Sequence, residues 1–247
     1  DQALINRLGF NNHGSDAVLE RIKSKKKLGI LGINVGPNKD SDNRINDYLI
    51  GIEKFYEVAD YITINISSPN TESLRNFHDE EKLKNLLKSV SEKKKNLKTN
   101  IPIVVKISPD INEKQINLIS EILIENDISG IIISNTSDSS RENLRNIQRR
   151  QKGGLSGKPI EKKSNILINK FYNIFKGKIK IIGVGGVDSG QSAYEKFLLG
   201  ADYIQLYTGM VFQGPNIAGI IKKELKELLK RDGVKNFTEI IGNKSLS

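Results

Sequence analysis

The sequence contains no cysteine and no tryptophan, and its 247 residues include only two histidines. The absence of cysteine excludes disulfides, thiolate metal ligands and a cysteine nucleophile or base. His13 and His78 are too few for a multi-histidine metal site, so no metal is expected, and both are predicted to lie in surface loops. Proton chemistry must then use serine, lysine, tyrosine or carboxylate side chains.

Long apolar runs are also missing, since none approaches the roughly 20 residues that a membrane-spanning helix needs. Apolar residues make up 37% of the chain and the mean hydropathy is −0.40, which predicts a soluble globular protein. A chain of this length can bury a substantial core, so residues 1–247 are predicted to form a single domain.

The net charge is +10, and many of the lysines cluster on predicted helix faces. These clusters lie at 23–27, 93–95 and 222–230. They indicate either a solvated surface or attraction to an anionic membrane or substrate. Nucleic acid is not expected as a partner, because aromatic residues do not interleave with the lysines.

Apolar runs that end in polar or glycine residues recur along the chain. The stretch YITINISSPNT, which starts at Tyr61, begins as a β-strand and ends in serines, asparagines and a proline that stops the ladder. Strands are predicted at 27–36, from 61, and at 102–107, 130–135, 179–184 and 201–207. Helices are predicted at 16–27, 46–59, 79–97, from 112, and at 160–175, 189–199 and 215–230, with a short one after 234. Such alternation indicates a parallel sheet flanked by helices.

Two layouts fit this alternation, a (β/α)8 barrel and a doubly wound open sheet. Polar residues at every predicted strand end favour the barrel. Two late phosphate-type turns, at 183–186 and 207–209, favour it as well, because barrels often bind phosphate after strands seven and eight. If these follow the last two strands, only six strands are present and two precede Asp1. We therefore predict an α/β fold, a (β/α)8 TIM barrel of which the chain covers about the last six βα units.

Two segments fall outside this repeat. Residues 1–14 are predicted to form a structured loop, since they are too polar for a core strand. Residues 137–159 are predicted to form an exposed active-site loop, because the insertion is long and polar.

Three segments indicate a mononucleotide phosphate site: GVGGV at 183–187, GGLSG at 153–157 and YTG at 207–209. Glycine at a strand-to-helix turn lets backbone N–H groups approach a phosphate. The alternative is that they are only tight turns and a flexible loop.

Single polar residues at the other strand ends indicate a ligand beside that phosphate. Lys106 interrupts an apolar strand, so it points either to a helix layer or into the barrel mouth, where it can meet an anion. Several asparagines could pair with a planar ligand such as a pyrimidine, although asparagine is common in this composition. Ser68 is either a base or a turn-forming residue before Pro69. The asparagines are Asn6, Asn34, Asn65, Asn70 and Asn135.

Taken together, these segments resemble class 2 dihydroorotate dehydrogenases. The matching pieces follow the order of that family across nearly the whole chain. They are INRLGFNN (5–12), GINVGPNK (32–39), DYLIGIEKFYEVADYITINISSPNT (47–71), VVKISPD (104–110), SNT (134–136), GGLSGKP (153–159), IIGVGGVDS (181–189) and QLYTG (205–209).

The resemblance implies an FMN-containing (β/α)8 barrel that oxidises dihydroorotate to orotate. It implies that Ser68 is the general base that removes the C5 proton, while the C6 hydride passes to flavin N5. The implied substrate-binding residues are Asn6, Arg7, Gly9, Phe10, Asn65, Asn70, Asn135 and Thr136. The implied FMN-binding residues are Asn34, Asn65, Lys106, Ser134, Gly157, Gly185, Gly186, Tyr207 and Thr208.

Class 1 relatives use cysteine as the base, so Ser68 and the absence of cysteine point to class 2. That class implies a quinone acceptor and a peripheral membrane location, on the cytoplasmic side of a bacterial inner membrane or on a mitochondrial inner membrane. The N-terminal helices and first two strands of the family have no counterpart in this sequence. Two alternatives therefore stay open: another FMN-dependent barrel oxidoreductase acting on a pyrimidine, and a non-enzymatic phosphate-binding remnant.

Overall fold

The computed structural model describes residues 1–38, 40–70, 74–139 and 141–243. Lys39 and Thr71, the last residues of two of the matching pieces, lie outside these ranges. Within these ranges, six parallel strands form one sheet in which they lie side by side in the order of the chain. They are β2 (Gly32–Val35), β3 (Tyr61–Asn65), β4 (Ile103–Ile107), β5 (Gly130–Ile133), β7 (Lys180–Val184) and β8 (Tyr203–Gln205).

Helices connect these strands and pack on one face of the sheet. They are α1 (Ser15–Lys23), α2 (Arg44–Phe55), α3 (Glu80–Asn96), α4 (Glu113–Glu125), α5 (Glu161–Phe175), α6 (Gly190–Leu198), α7 (Thr208–Gln213) and α8 (Ile217–Arg231). The part of the chain that the structure describes also contains 3-10 helices at Leu74–His78, Ile147–Arg150, Lys158–Ile160 and Phe237–Ile240. The predicted alternation of strand and helix is confirmed. Within the described ranges, no helix combines the length and apolarity required to cross a membrane.

The strands are apolar on both faces, as expected for a parallel sheet that is covered by helices. Ile62, Ile64 and Val105 belong to the large core cluster, which also holds the inward faces of the helices. Val104, Ile132 and Ile182 form a separate small cluster on the opposite face. Full burial of each such side chain contributes about 1.5 to 3 kcal/mol. The second face is thus apolar in the middle of the strands and polar where they end.

Two predicted strands are shorter than expected. The strand predicted at 27–36 begins only at Gly32, and Leu28 and Ile30 are 90% and 85% exposed. Their apolar character predicted a strand, but no neighbouring strand pairs with residues 27–31 in the described structure. The strand predicted at 201–207 is reduced to Tyr203–Gln205.

The two segments predicted as loops pair with each other. Residues 1–14 contain β1 (Ala3–Asn6), and the GGLSG segment contains β6 (Gly154–Gly157). The two strands are antiparallel, with Ala3 opposite Gly157 and Asn6 opposite Gly154. The loop prediction was wrong there. Each strand is only four residues long and pairs with a segment about 150 positions away, so neither stretch shows a strand pattern by itself. This ribbon brings Asn6 to the ends of the sheet strands.

His78 corrects a second prediction, whereas His13 is exposed in a loop as expected. His78 is only 3% exposed. Its Nδ1 lies 2.9 Å from the Arg75 carbonyl oxygen, and its Nε2 lies 3.4 Å from the Ser108 backbone nitrogen. Nε2 must accept from that N–H, so Nδ1 carries the proton and donates. Burial lowers the pKa of His78, which favours this neutral form.

Lys196 of α6 is a fully buried lysine that the sequence did not single out. Its Nζ donates to Asn165 Oδ1 at 2.6 Å and to Ser164 Oγ at 3.2 Å. Burial lowers its pKa to about 8. The ammonium is thus satisfied by hydrogen bonds but has lost its hydration.

This burial predicts that stability increases at alkaline pH. An unfolded lysine keeps its proton up to pH ~10.4, so above pH 8 the unfolded chain binds more protons than the folded one. The free energy of unfolding contributed by Lys196 should therefore rise by about 2 to 3 kcal/mol between pH 8 and 10.4. We expect Lys196→Met to lack this rise in denaturant unfolding measured across that range. Parallel pH curves for the variant and the wild type would contradict the prediction.

Candidate active site

The register of the sheet places three predicted site residues on one face. Asn65 of β3 pairs with Lys106 of β4, and Lys106 pairs with Ile132 of β5. Asn34 pairs with Thr63, two residues before Asn65 on the same face. This is also the face that carries the small apolar cluster. Asn34, Asn65 and Lys106 therefore lie next to that cluster, towards the carboxyl ends of the strands.

Two clefts lie along this edge and share a wall. The first, named here the amide cleft, is lined by Asn6, Phe10, Asn34, Asn65, Ser68, Asn70, Lys106, Asn135, Thr136 and Tyr207, among others. The second, named the glycine cleft, is lined by Lys106, Ser134, Gly157, Gly185, Gly186, Tyr207 and Thr208, among others. Both clefts include Asn6, Lys106, Asn135, Thr136 and Tyr207. The two clefts therefore adjoin each other at these residues.

Two predicted substrate residues lie outside both clefts. Arg7 is exposed, and its guanidinium donates to the Lys152 carbonyl at 2.7 Å and to Gln151 Oε1 at 3.1 Å. Gly9 lines a neighbouring groove with Phe10 and Asn34. The structure therefore brings together the other predicted residues but not these two.

Hydrogen bonds fix the orientation of the asparagines in the amide cleft. Asn65 Oδ1 accepts from the backbone N–H of Ser67 at 3.1 Å and from its hydroxyl at 2.8 Å. Asn135 Nδ2 donates to the same Ser67 oxygen at 2.9 Å. The Nδ2 group of Asn65 donates to no described residue, so it is free to meet a ligand. Ser67 is an orienting residue that the sequence did not single out.

A second pair of asparagines joins the ribbon to the loop after β3. Asn70 Nδ2 donates to the side-chain oxygen and to the carbonyl oxygen of Asn6, each at 3.2 Å. Asn6 Nδ2 in turn lies 3.4 Å from the Gly154 carbonyl oxygen on β6. The ribbon, predicted as a loop, thus forms one wall of the amide cleft.

Ser68 lines the amide cleft and is 5% exposed. Its Oγ accepts a hydrogen bond from the Asn70 backbone N–H at 3.3 Å. No described carboxylate or histidine hydrogen bonds to it. Among the described residues that line this cleft, Lys106 alone carries a charge. Its positive charge favours an anionic ligand and also favours loss of a proton from a nearby hydroxyl.

The ammonium of Lys106 has no partner within the described ranges. It forms no hydrogen bond or ion pair with any described residue, and burial lowers the pKa of Lys106. An unpaired charge that is partly removed from water is unfavourable, whereas the fully buried ammonium of Lys196 donates two hydrogen bonds. The position of Lys106 in the wall common to both clefts indicates that a ligand with an acceptor atom completes the site.

The glycine cleft has the features of a phosphate site. Gly157, Gly185 and Gly186 have φ values of 98°, 123° and 75°, a region that favours glycine. The backbone N–H groups of Gly185 and Gly186 donate to no described residue. Thr208 adds a hydroxyl that donates to Ser156 Oγ at 2.8 Å. Unpaired N–H groups at a strand-to-helix turn bind phosphate oxygens.

The fold and the clefts define an α/β enzyme of barrel type with two adjoining clefts at the carboxyl ends of its strands. The family model described as dihydroorotate dehydrogenase matches residues 1–229. This chain belongs to the dihydroorotate dehydrogenase family.

Individual relatives agree with this assignment. The chain is 45% identical over 244 residues to "Dihydroorotate dehydrogenase (quinone)" of Bartonella tribocorum, which covers 97% of this chain and 68% of the relative. It is 45% identical over 245 residues to the protein of the same name from Agrobacterium fabrum, covering 97% and 67%. A crystal structure of DHODH from Eimeria tenella in complex with ferulenol superposes with a TM-score of 0.94 at 30% identity. That superposition covers 99% of this chain and 72% of the other. The fold prediction is therefore confirmed.

Proposed function

We propose that this protein oxidises (S)-dihydroorotate to orotate in pyrimidine biosynthesis, with a quinone as the terminal electron acceptor. The relatives that share 45% of its residues carry the name dihydroorotate dehydrogenase (quinone). The observation that carries the proposal is that Ser68 and Gly186 line two clefts that meet at Lys106. One cleft suits a planar polar substrate and the other suits the phosphate of a cofactor.

FMN is the cofactor that we propose, with the single domain of residues 1–247 as its binding unit. The unpaired ammonium of Lys106 and the unpaired N–H groups of Gly185 and Gly186 suit an acceptor-rich ring and a phosphate. Bound FMN supplies an acceptor for the hydride. The residues that would hold it are Asn34, Asn65, Lys106, Ser134, Gly157, Gly185, Gly186, Tyr207 and Thr208.

The substrate is proposed to lie in the amide cleft. Amide groups can donate to the carbonyl oxygens of a dihydropyrimidine and accept from its N–H groups. The residues that would bind the substrate through their amides are Asn6, Asn65, Asn70 and Asn135. Phe10 and Thr136 would complete the wall of the cleft. Arg7 and Gly9 are left out of this proposal, because neither lines the amide cleft or the glycine cleft.

Ser68 is proposed as the general base. It would accept the C5 proton as the C6 hydride leaves, which creates the double bond of orotate. A serine must pass its own hydroxyl proton to solvent water to do so, and the positive charge of Lys106 in the same cleft would assist that loss.

The terminal acceptor and the location rest on the relatives. Their printed name includes a quinone. Quinones with isoprenoid tails reside in membranes, so we propose peripheral association with the cytoplasmic side of a bacterial inner membrane, or with a mitochondrial inner membrane in a eukaryote. The net charge of +10 is compatible with an anionic lipid surface.

An absorbance spectrum tests the proposal. The protein loaded with FMN should lose its long-wavelength flavin absorption when dihydroorotate is added without oxygen, and a soluble quinone should restore it. Bleaching by NAD(P)H but not by dihydroorotate would instead indicate another flavin-dependent barrel oxidoreductase. A colourless protein that takes up no added FMN would indicate a phosphate-binding remnant.

A further inference from the structure

Arg75 lies in the 3-10 helix Leu74–His78 and lines neither cleft, yet its guanidinium contacts two of the loops that carry site residues. Its Nε donates to the carbonyl oxygen of Ser67 at 3.3 Å, and an Nη group donates to that of Thr136 at 3.1 Å. Ser67 immediately precedes Ser68, and Thr136 immediately follows Asn135. One side chain thus joins the loop after β3 to the loop after β5.

Two carboxylates hold the guanidinium in this position. Arg75 lies 2.6 Å from Asp138 Oδ1 and 3.2 Å from Asp110 Oδ2. Burial alone would raise the pKa of Asp110, but hydrogen bonds from Lys163, Ser137 and Asp138 outweigh it and lower that pKa. Asp110 therefore stays ionised at neutral pH, and it adds the loop after β4 to the same assembly.

Neighbouring residues of the same 3-10 helix hold the backbone of Arg75 in place. Leu74 is fully buried, and the ring of Phe77 packs edge-on against Tyr48 at a centroid distance of 5.8 Å. The Tyr48 hydroxyl donates to the Asn65 carbonyl at 2.7 Å, which ties this packing to the end of β3. His78 Nδ1 donates to the carbonyl of Arg75 itself. The guanidinium is therefore fixed relative to the strand that leads into Ser68.

From these contacts we infer that Arg75 is a positioning residue, which keeps Ser68 in register with Asn135 by holding the carbonyls of Ser67 and Thr136. The inference rests on the proposed function of Ser68 and Asn135. A planar guanidinium can serve two carbonyls and two carboxylates at once, whereas the compact ammonium of lysine cannot reproduce this fork. Misplacement of reacting groups by about 1 Å can cost about 10²-fold in rate.

The test is Arg75→Lys in the FMN-loaded protein. We expect the rate of flavin reduction at saturating dihydroorotate to fall about tenfold. This is less than the roughly 10²-fold loss for a 1 Å misplacement, because lysine keeps the positive charge. FMN content should not change, because Arg75 does not line the glycine cleft. The concentration of dihydroorotate at half-maximal rate should change less than the rate. Added guanidinium ion should partly restore the rate of Arg75→Ala.

Arg149→Lys is the matched control. Arg149 also donates to loop carbonyls, those of Glu142 and Leu144, but neither adjoins a predicted site residue. It should reduce flavin at the wild-type rate. A wild-type rate in Arg75→Lys, with its FMN spectrum intact, would overturn the inference.

If Arg75→Lys does not fold, Asp138→Asn takes its place. The Asp138 side chain is 53% exposed, so its replacement should be tolerated while the 2.6 Å ion pair is lost. Slower flavin reduction in Asp138→Asn would support the inference, and an unchanged rate would refute it.

Should dihydroorotate fail to reduce even the wild-type protein, the proposed function fails on its own. Amide hydrogen exchange then decides about Arg75. Faster exchange at 67–70 and 134–138 in the variant would support its role, and unchanged exchange would reject it.

Discussion

Replacing Ser68 with alanine should slow flavin reduction by dihydroorotate about 10²- to 10⁴-fold, the range that a positioned general base contributes. The expected loss is large because no described carboxylate or histidine hydrogen bonds to Ser68 and could take over the proton. Stopped-flow absorbance of the FMN-loaded variant, mixed with dihydroorotate in the absence of oxygen, measures this rate directly.

FMN binding should survive the same change. Ser68 does not line the glycine cleft, and its Oγ accepts only from the Asn70 N–H within the described structure. Loss of that one acceptor costs about 1 kcal/mol of stability, which lowers the melting temperature by a few degrees at most. The visible spectrum and FMN stoichiometry should therefore match the wild type.

Ser68→Cys supplies the informative comparison. A thiol loses its proton near pH 8.5, so this variant should regain part of the rate and shift the pH profile toward that value. Reduction of Ser68→Ala at the wild-type rate would remove Ser68 from the chemistry, while the FMN proposal would stand.

The strands and the glycine cleft were predictable because their signals are local. Runs such as the one from Ile103 to Ile107 predict buried strands by composition alone, and Gly185 and Gly186 sit at a strand-to-helix turn where both have positive φ values. Lys106 was recognisable because it interrupts an apolar strand. Since strand ends meet at one edge of a parallel sheet, such local signals also predicted which residues would lie together.

The parts that could not be predicted depend on distant pairings or on backbone atoms. Strands β1 and β6 are short and polar, and only their mutual pairing makes them strands. In the sequence, Arg75 cannot be distinguished from a surface cation. Its partners at Ser67 and Thr136 are backbone carbonyl oxygens, which every residue has. Lys196 could not be recognised either, because lysines are frequent on helices such as α3, α5 and α8 and one more gives no signal of burial.

His78 and Arg7 also show that the surroundings of a side chain cannot be predicted from its neighbours in the sequence. His78 was predicted to lie in a surface loop, but the Ser108 N–H and the Arg75 carbonyl give its ring buried partners. Arg7 was assigned to the substrate through its motif, but its guanidinium turns to the loop at 151–152. A motif fixes where the backbone runs, whereas the direction of a long side chain depends on the acceptors around it.

Lys106→Met should have opposite effects on the empty and the loaded protein. Without ligand, Lys106 is a partly buried ammonium that no described residue pairs, so an apolar side chain of similar length should raise the free energy of unfolding by about 1 kcal/mol, the low end of the range for buried charges. With FMN, the variant lacks a charged hydrogen bond worth about 1.5 to 3 kcal/mol, so FMN affinity should fall about 10- to 100-fold. Flavin reduction should slow as well, because the charge that assists Ser68 is gone.

Denaturant unfolding of the FMN-free protein and fluorescence titration with FMN measure these two effects separately. Lys180→Met is the matched control, since Lys180 is also a strand lysine but lies at the far end of β7, paired with Asp202 at 2.7 Å. It should leave FMN affinity unchanged. A Lys106→Met protein that is less stable when empty and binds FMN as tightly as the wild type would show that Lys106 supports the sheet instead of the cofactor. That outcome would show that the Lys106 ammonium does not bind the cofactor. The main electrostatic reason to place a flavin where the two clefts meet would then be lost.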